Sequence, residues 1–373
     1  MSEETKATEQ TAAPVTTAGS PETAAAPAAQ KTAPAAAAKG SAKTVYLSSS
    51  PHYTRGDTTR NIMATVLLAL LPECIWGVIT FGPRALLVLL VSVVSCVLSE
   101  WLFQKVTGQK NTIGNLSAAV TGVLLAMVVT PAIPLWMLVI GAVVAIVVAK
   151  GMFGGIGSNV FNPALTGRGF MMISFGAAMS SWKDPAALDA VSSATVLSQM
   201  KEGAFAADGS TLLQYFLGNR AGCIGEVSVL LLILSFAFLL VTGIIDWRAP
   251  LAMLCSFVTA TFIAALAGTG DAAAACSDVL LGLCTGGVVF GAVFMVTDYA
   301  TTPVTKNGRL VFGLGCGLIT FLIRRFGGYP EGVMFSILIM NSVAPFLNRL
   351  TARKYGYGKQ AAAIAATTAG GAK

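Results

Sequence analysis

The residues that could do chemistry sit in a few short stretches of this chain. GGIGSNVFNPALTGRG (154–169) combines Gly154, Gly155 and Gly157, which allow backbone turns that other residues resist, with the amide donors and acceptors of Asn159 and Asn162. Non-helical backbone at membrane depth survives only where it is buried in protein or lines a cavity, so this stretch reads as a ligand or ion site before it reads as a turn. MVTDYATTPVTKNGR (295–309) sets a carboxylate, Asp298, at a helix end, followed by the hydroxyls of Thr301, Thr302 and Thr305. Such oxygens are hard ligands for a small cation, or acceptors for a ring cofactor such as a flavin. In LDAVSSATVLSQM (188–200) the small residues Ser192, Ser193 and Ala194 lead to one hydroxyl, Thr195. Glu73 follows Pro72 inside an apolar run. A carboxylate is costly in lipid, so it should face the bundle or a cavity, unless the first helix ends early and leaves it at the interface. Asn341, in the last apolar run, is a milder case. His52, in SPHYTRGDTTR (50–60), is the only histidine and reads as a polar juxtamembrane cap.

These groups are set in a chain that cannot face water along most of its length. It is 55% hydrophobic and 11% charged, with a mean hydropathy of +0.73, against about 25% charged residues in soluble domains. The net charge of +7 is spread between the apolar runs and at their ends, with no basic face interleaved with aromatics, so nucleic acid is not a partner. The seven cysteines include no CxxC pair, which argues against a disulfide framework and against a self-contained zinc or iron–sulfur site. No GxGxxG follows a strand, so the chain does not bind NAD+ itself.

The elements that must position the site residues are helices. Residues 1–43 are Ala, Thr, Pro, Glu and Lys without an aromatic, a composition that stays disordered, and they hold no apolar signal-peptide core. The spacing of the apolar runs predicts an all-α polytopic membrane protein of about ten helices. They fall near 59–81, 84–103, 114–130, 134–149, 165–179, 227–245, 250–268, 279–297, 309–325 and 332–349. The Lys/Arg bias puts both termini on the cytoplasmic side and the 180–226 loop outside. LSAAVTGVLLAMVVTPAIP (116–134) resembles LCTGGVVFGAVFMVTDYATTP (283–303), and GGIGSNVFNPA (154–164) answers GGYPEGVMF (327–335). Five helices separate the members of each pair, and an odd offset reverses direction in the membrane. The reading is an inverted five-plus-five repeat: 44–179, then the loop, then 227–350, with a cytoplasmic tail at 351–373.

Four of these motifs, in the same order, resemble one family. SPHYTRGDTTR running into MATVLLALLPE, then GGIGSNVFNPA, TDYATTPVT and FGGYPEGVMFSILIMN, look like the D subunits of Rnf ion-translocating ferredoxin:NAD+ oxidoreductase complexes, the NqrB/RnfD family, over about residues 48–350. The resemblance implies FMN linked by a phosphodiester to the Thr195 hydroxyl, because Asp189 to Thr195 match the family's flavinylation motif, with Ser193 where glycine is common. A flavin transferase outside the cytoplasmic membrane would attach it, and the small neighbours Ser192, Ser193 and Ala194 leave that enzyme room. It also implies a second, non-covalent flavin, a riboflavin. With the inverted repeat, the cytoplasmic loops 154–164 and 297–305, carrying Asn159, Asn162, Asp298 and Thr302, would frame the riboflavin. The outer GGYPEG loop, with Tyr329 and Glu331, would lie beside the Thr195 flavin. Arg324 and Arg325, which run against the orientation bias, would pair with the FMN phosphate or else snorkel to lipid phosphates.

The function so implied is that of a flavin-carrying subunit, not catalytic alone, in the bacterial cytoplasmic membrane. It would relay electrons between ferredoxin and NAD+ while the complex moves Na+ or H+, with Glu73 and Asp298 as ion-path candidates. Its partners would be the other membrane and peripheral Rnf subunits, including a second FMN-carrying one. Two alternatives stand beside this reading. One is the related B subunit of a Na+-pumping NADH:quinone reductase, and the other a flavin-free secondary transporter, which inverted helical halves with broken middles describe equally well.

Overall fold

Helices begin where the sequence supplies caps and stop where it supplies left-handed glycines. In the computed structural model, residues 58–181, 209–218, 222–327 and 331–351 are described, and no strand occurs among them. His52, the 1–43 tail, Ser192, Ser193, Ala194, Thr195, Tyr329 and residues 352–373 lie outside the described residues. Helix α1 (Thr59–Phe81) is capped by Thr58, whose hydroxyl accepts from Asn61 N at 3.3 Å. Gly82 ends it at φ 75°, and α2 (Pro83–Thr107) starts on a proline, whose missing N–H has no intrahelical partner to lose.

There follow α3 (Ser117–Met127), α4 (Leu135–Gly151, its last part from Val144 a π-helical turn), α5 (Pro163–Ser174) and α6 (Gly176–Met179). The second half holds α7 (Gly209–Leu217), α8 (Val229–Val241), α9 (Arg248–Thr269), α10 (Ala272–Cys284), α11 (Val288–Met295, π-helical from Gly291), α12 (Lys306–Phe326) and α13 (Val333–Thr351).

Most helical runs fall where hydropathy places them, although α7 lies inside the expected 180–226 loop, and only some are long enough to span alone. Among the described residues, α1, α2, α9 and α13 are long and apolar enough to cross a membrane, and α10 with α11 makes a fifth crossing if that bent pair counts as one span. The continuous helix expected at 279–297 instead begins at Ala272, breaks at 285–287 and resumes at Val288 with a bend of 62°. Gly286 and Gly287, at φ 70° and 66°, make that break, which a hydropathy window averages away. The expected helix at 165–179 likewise splits at Phe175.

The tightest packing joins α9 to α12. Gly313 and Gly317 of α12 lie one turn apart, and both are buried. A Cβ at Gly313 would stand 2.8 Å from that of Ala252, and one at Gly317 would collide with Met253 O and Ser256 Oγ. Lipid offers little hydrophobic drive for helix association, so close backbone approach through small residues supplies the dispersion contacts. The outward faces of α1 and α2, with Leu68, Ile79, Leu90 and Leu98 exposed, suit hydrocarbon.

Gly317→Val should overpack this seam by about 1–3 kcal/mol and lower the thermal midpoint of the detergent-purified protein. Leu318→Val, on the exposed face of the same helix, should leave it unchanged. Equal melting of the two variants would contradict the contact.

Candidate functional site

The two polar loops singled out in the sequence, far apart along the chain, meet at one cavity. It has a volume of about 340 Å³ and is walled by α1 (Met63, Val66), α3 (Ser117, Val120, Thr121, Leu124), Lys150, the loop and start of α5 (Ile156, Gly157, Asn159, Asn162, Pro163, Ala164), Leu239 of α8 with Ile244 and Ile245, and Phe294, Thr297, Asp298, Tyr299, Ala300 and Val304. That volume lies within the range of small-ligand pockets, which are mostly apolar with a few placed polar groups. The polar groups here are Ser117, Thr121, Lys150, Asn159, Asn162, Thr297, Asp298 and Tyr299. A narrower annex of about 50 Å³ continues past Thr302 to Asp246 and Arg309.

Local chemistry explains why the loops hold this shape. Gly154, Gly155 and Gly157 take φ of 108°, 91° and 86°, backbone that an L side chain rarely adopts, so the loop can fold back between α4 and α5. Asn162 then caps α5, accepting from Leu165 N at 3.3 Å, while its Nδ2 donates to Met295 O at 3.4 Å and so ties the start of α5 to the end of α11. Both π-helical turns reach the cavity, one through Lys150 and one through Phe294. Such turns cluster at functional sites because they rotate side chains out of helical register.

In the 297–305 loop Asp298 Oδ2 accepts from Thr301 Oγ1 at 2.9 Å, and Thr302 Oγ1 donates to Val296 O at 2.5 Å. Burial pushes the Asp298 carboxyl above its usual range, with the Thr301 and Ala300 hydrogen bonds opposing. Asp246 ties the annex together, accepting from Arg248 and Arg309. Burial works to raise its pKa, but the Arg248 and Arg309 hydrogen bonds outweigh it and hold it below the ordinary value.

A second polar centre lies where α5 crosses α13. Arg168 of α5 donates Nη1 to Glu331 Oε1 at 2.8 Å and Nη2 to Glu331 Oε2, a bidentate pair whose side chains are 7% and 16% exposed. Cys223 and Glu226 border it, with ligand atoms of Cys223, Glu226 and Glu331 within 4.8 Å of one another. The crossing is reciprocal. Asn341 of α13, with its amide nitrogen toward Ile337 O, accepts from Asn162 N at 3.1 Å, so each helix sends a polar side chain to the beginning of the other.

The break between α10 and α11 is dressed with opposite charges. Arg324 donates to Gly282 O at 2.8 Å, Thr285 O at 3.1 Å and Gly286 O at 2.7 Å, and its guanidinium lies 5.0 Å from the Phe257 ring centroid. These are the carbonyls a helix end leaves without partners. The Glu226 carboxylate packs against Gly287, at the N-terminal end of α11, where a Cβ would meet its Cδ at 2.8 Å. A cation thus sits at the C-terminal end of one half-helix and an anion at the N-terminal end of the next.

Comparison with known proteins decides the family. The model of the NQR2, RnfD, RnfE family matches residues 46–356. This chain belongs to the NQR2, RnfD, RnfE family. It is 41% identical over 315 residues to the D subunit of a Na(+)-translocating ferredoxin:NAD(+) oxidoreductase complex of Acetobacterium woodii, covering 84% of this chain and 96% of that one. It is 40% identical over 314 residues to the D subunit of a proton-translocating ferredoxin:NAD(+) oxidoreductase complex of Clostridium ljungdahlii, covering 82% and 94%. The D subunit of an ion-translocating oxidoreductase complex of Stutzerimonas stutzeri is 36% identical over 336 residues, covering 80% and 92%. These relatives are named as subunits of ion-translocating oxidoreductase complexes, which agrees with the sequence reading of a subunit of such a complex.

Several expected site residues fall together in this family member. Asn159, Asn162 and Asp298 line one cavity and Thr302 its annex. Glu73 is fully buried in the middle of an unbroken α1, so it faces the bundle rather than the interface. Glu331 holds Arg168, Arg324 holds the helix break and Arg325 is exposed. Sequence reasoning missed Glu100, Lys150, Arg168 and Glu226. Glu100 sits inside an apolar run, the same signal that marks Glu73. Lys150 and Arg168 read as orientation markers in the sequence, yet they are 4% and 6% exposed and paired inside the protein.

Arg168→Met should cost about 3–5 kcal/mol, because it leaves the Glu331 carboxylate buried without its cation. The Arg168→Met, Glu331→Gln double variant should recover part of that loss in a thermal-melt series. A double variant as damaged as the sum of the two singles would mean that the two residues do not act as a pair.

Proposed function

We propose that this chain is the flavin-carrying D subunit of an Rnf-type complex in the bacterial cytoplasmic membrane, relaying electrons between ferredoxin and NAD+ as the complex translocates Na+ or H+. The observation that carries this reading is the convergence of loops 154–164 and 297–305, with Asn159, Asn162 and Asp298, on a single cavity of ligand size. Family membership and the names of its relatives support the complex, and the donor set supports the cofactor. Amide nitrogens and hydroxyls in an apolar slot suit the carbonyls and ring nitrogens of a flavin, and they offer no soft ligand for a metal. The chain would hold the riboflavin between these loops. FMN on the Thr195 hydroxyl rests on the Asp189–Thr195 motif. Flavins supply one- and two-electron transfer when bound, and the protein positions and tunes them.

Neighbouring Rnf subunits and the flavin transferase are the implied partners, with both termini in the cytoplasm. The inverted five-plus-five repeat draws support from the reciprocal contacts of α5 and α13, since a two-fold relation would bring each helix start to the other's middle. Full thickness would then be crossed about ten times by pairing short helices with broken segments. The B subunit of a Na+-pumping quinone reductase shares this family and stays the second reading.

Ultraviolet illumination of a denaturing gel tests the covalent flavin. The wild-type band, co-expressed with the transferase, should fluoresce and Thr195→Ala should not. A dark wild-type band would favour a flavin-free transporter. Glu73→Gln and Asp298→Asn should each lower ion pumping in vesicles by more than they lower flavin content. Unchanged pumping would remove them from the ion path.

A further inference from the structure

The cavity wall holds a charged group to which the flavin reading gives no task. Lys150 lines the cavity from the π-helical turn of α4, and its side chain is 5% exposed. Nζ donates to Ser117 Oγ at 2.6 Å and to Glu100 Oε1 at 3.0 Å. Glu100, on α2, is buried behind Lys150 and does not line the cavity. Its Oε1 also accepts from Gln104 Nε2 at 3.3 Å, while its buried Oε2 has no hydrogen-bond partner among the described residues. Gln104 is itself locked to Thr112 by bonds of 2.7 and 3.0 Å, so the carboxylate cannot swing forward without breaking that lattice. The result is a buried dipole with its ammonium at the cavity and its carboxylate one layer deeper.

Such a pair is poor support for stability, since both charges lose their hydration. A fixed dipole aimed into an apolar cavity, however, acts strongly on any ligand whose charge changes there. The carboxylate among the described lining residues is Asp298, which acts with the opposite sign.

We propose that Lys150 is a positioning residue that sets the redox poise of the flavin in this cavity, its ammonium favouring the electron-loaded ring and Glu100 moderating that effect from behind. The inference rests on the flavin reading of the cavity. In the step concerned, a donor within the complex loses one electron and the ring gains it, lowering the ring's charge by one unit. Lys150 meets that charge without forming or breaking a bond.

Redox titration of the intact complex tests this, in a Thr195→Ala background so that the chain's covalent flavin does not contribute. Lys150→Gln should shift the oxidised-to-reduced ratio of the non-covalent flavin at least tenfold toward oxidised, a fall of 59 mV for a one-electron couple. Glu100→Gln should shift it in the opposite direction, and Lys150→Arg should stay near the parent value. A merely structural role would move Lys150→Gln and Glu100→Gln the same way. If flavin is retained and the potentials move together or not at all, the inference is overturned. If Lys150→Gln loses its flavin, Glu100→Gln and Lys150→Arg decide in the same terms. A parent complex that releases no non-covalent flavin from this chain on denaturation overturns the reading of the cavity itself.

Discussion

In hydrocarbon every backbone N–H and C=O must find its partner inside the protein. This chain interrupts its helices, and two of the interruptions are closed by side chains. At the break between α10 and α11, Arg324 takes the terminal carbonyls and Glu226 faces the next helix start. At the start of α5, Asn162 takes the place of a missing helical turn and reaches Met295 O as well. Without those side chains the broken segments would carry orphaned polar groups at a cost of several kcal/mol each. The cavity exists because these side chains let the backbone be irregular there.

The same constraint explains why the buried charges come as neighbours. Arg168 with Glu331 and Lys150 with Glu100 each hold their partner within a hydrogen bond. Both pairs also join elements distant in sequence: α5 to the start of α13, and α4 to α2. A buried ion pair is a weak source of stability but a strict one of register, because a helix that slides by one turn leaves two charges unpaired. The two polar centres therefore keep the cavity loops in register with the helices behind them.

Much of this is legible in the sequence and some is not. Apolar runs locate the helices to within a few residues, and residue types alone mark the Gly154–Asn162 and Asp298–Thr302 stretches, though not their meeting. The span count is not legible. Hydropathy sums over Gly286 and Gly287 as readily as over any small residue, so a bent pair looks like one helix. Partners across the bundle are invisible for a different reason. Glu100 and Lys150 lie 50 residues apart, and no local pattern in either segment points to the other.

Orientation depends on which basic residues reach water. The positive-inside bias acts on those that meet the aqueous leaflet surface, so those consumed by internal pairing should not be counted. Lys150, Arg168 and Arg324 drop out on that ground, two from the inner set and one from the outer. Arg248 and Arg309 are partly engaged by Asp246, and Arg84 by Ile133 O. Among the described residues, the exposed basic groups that remain are Arg60, Lys105, Lys110, Lys306 and Arg349, in segments the sequence bias assigns to the inside, and Arg325, in one it assigns to the outside. The asymmetry of the sequence bias keeps its sign among the described residues when the internally paired members are removed. Fewer charges carry the bias than the raw count suggests, because burial and pairing inside the protein take the others out of reach of water.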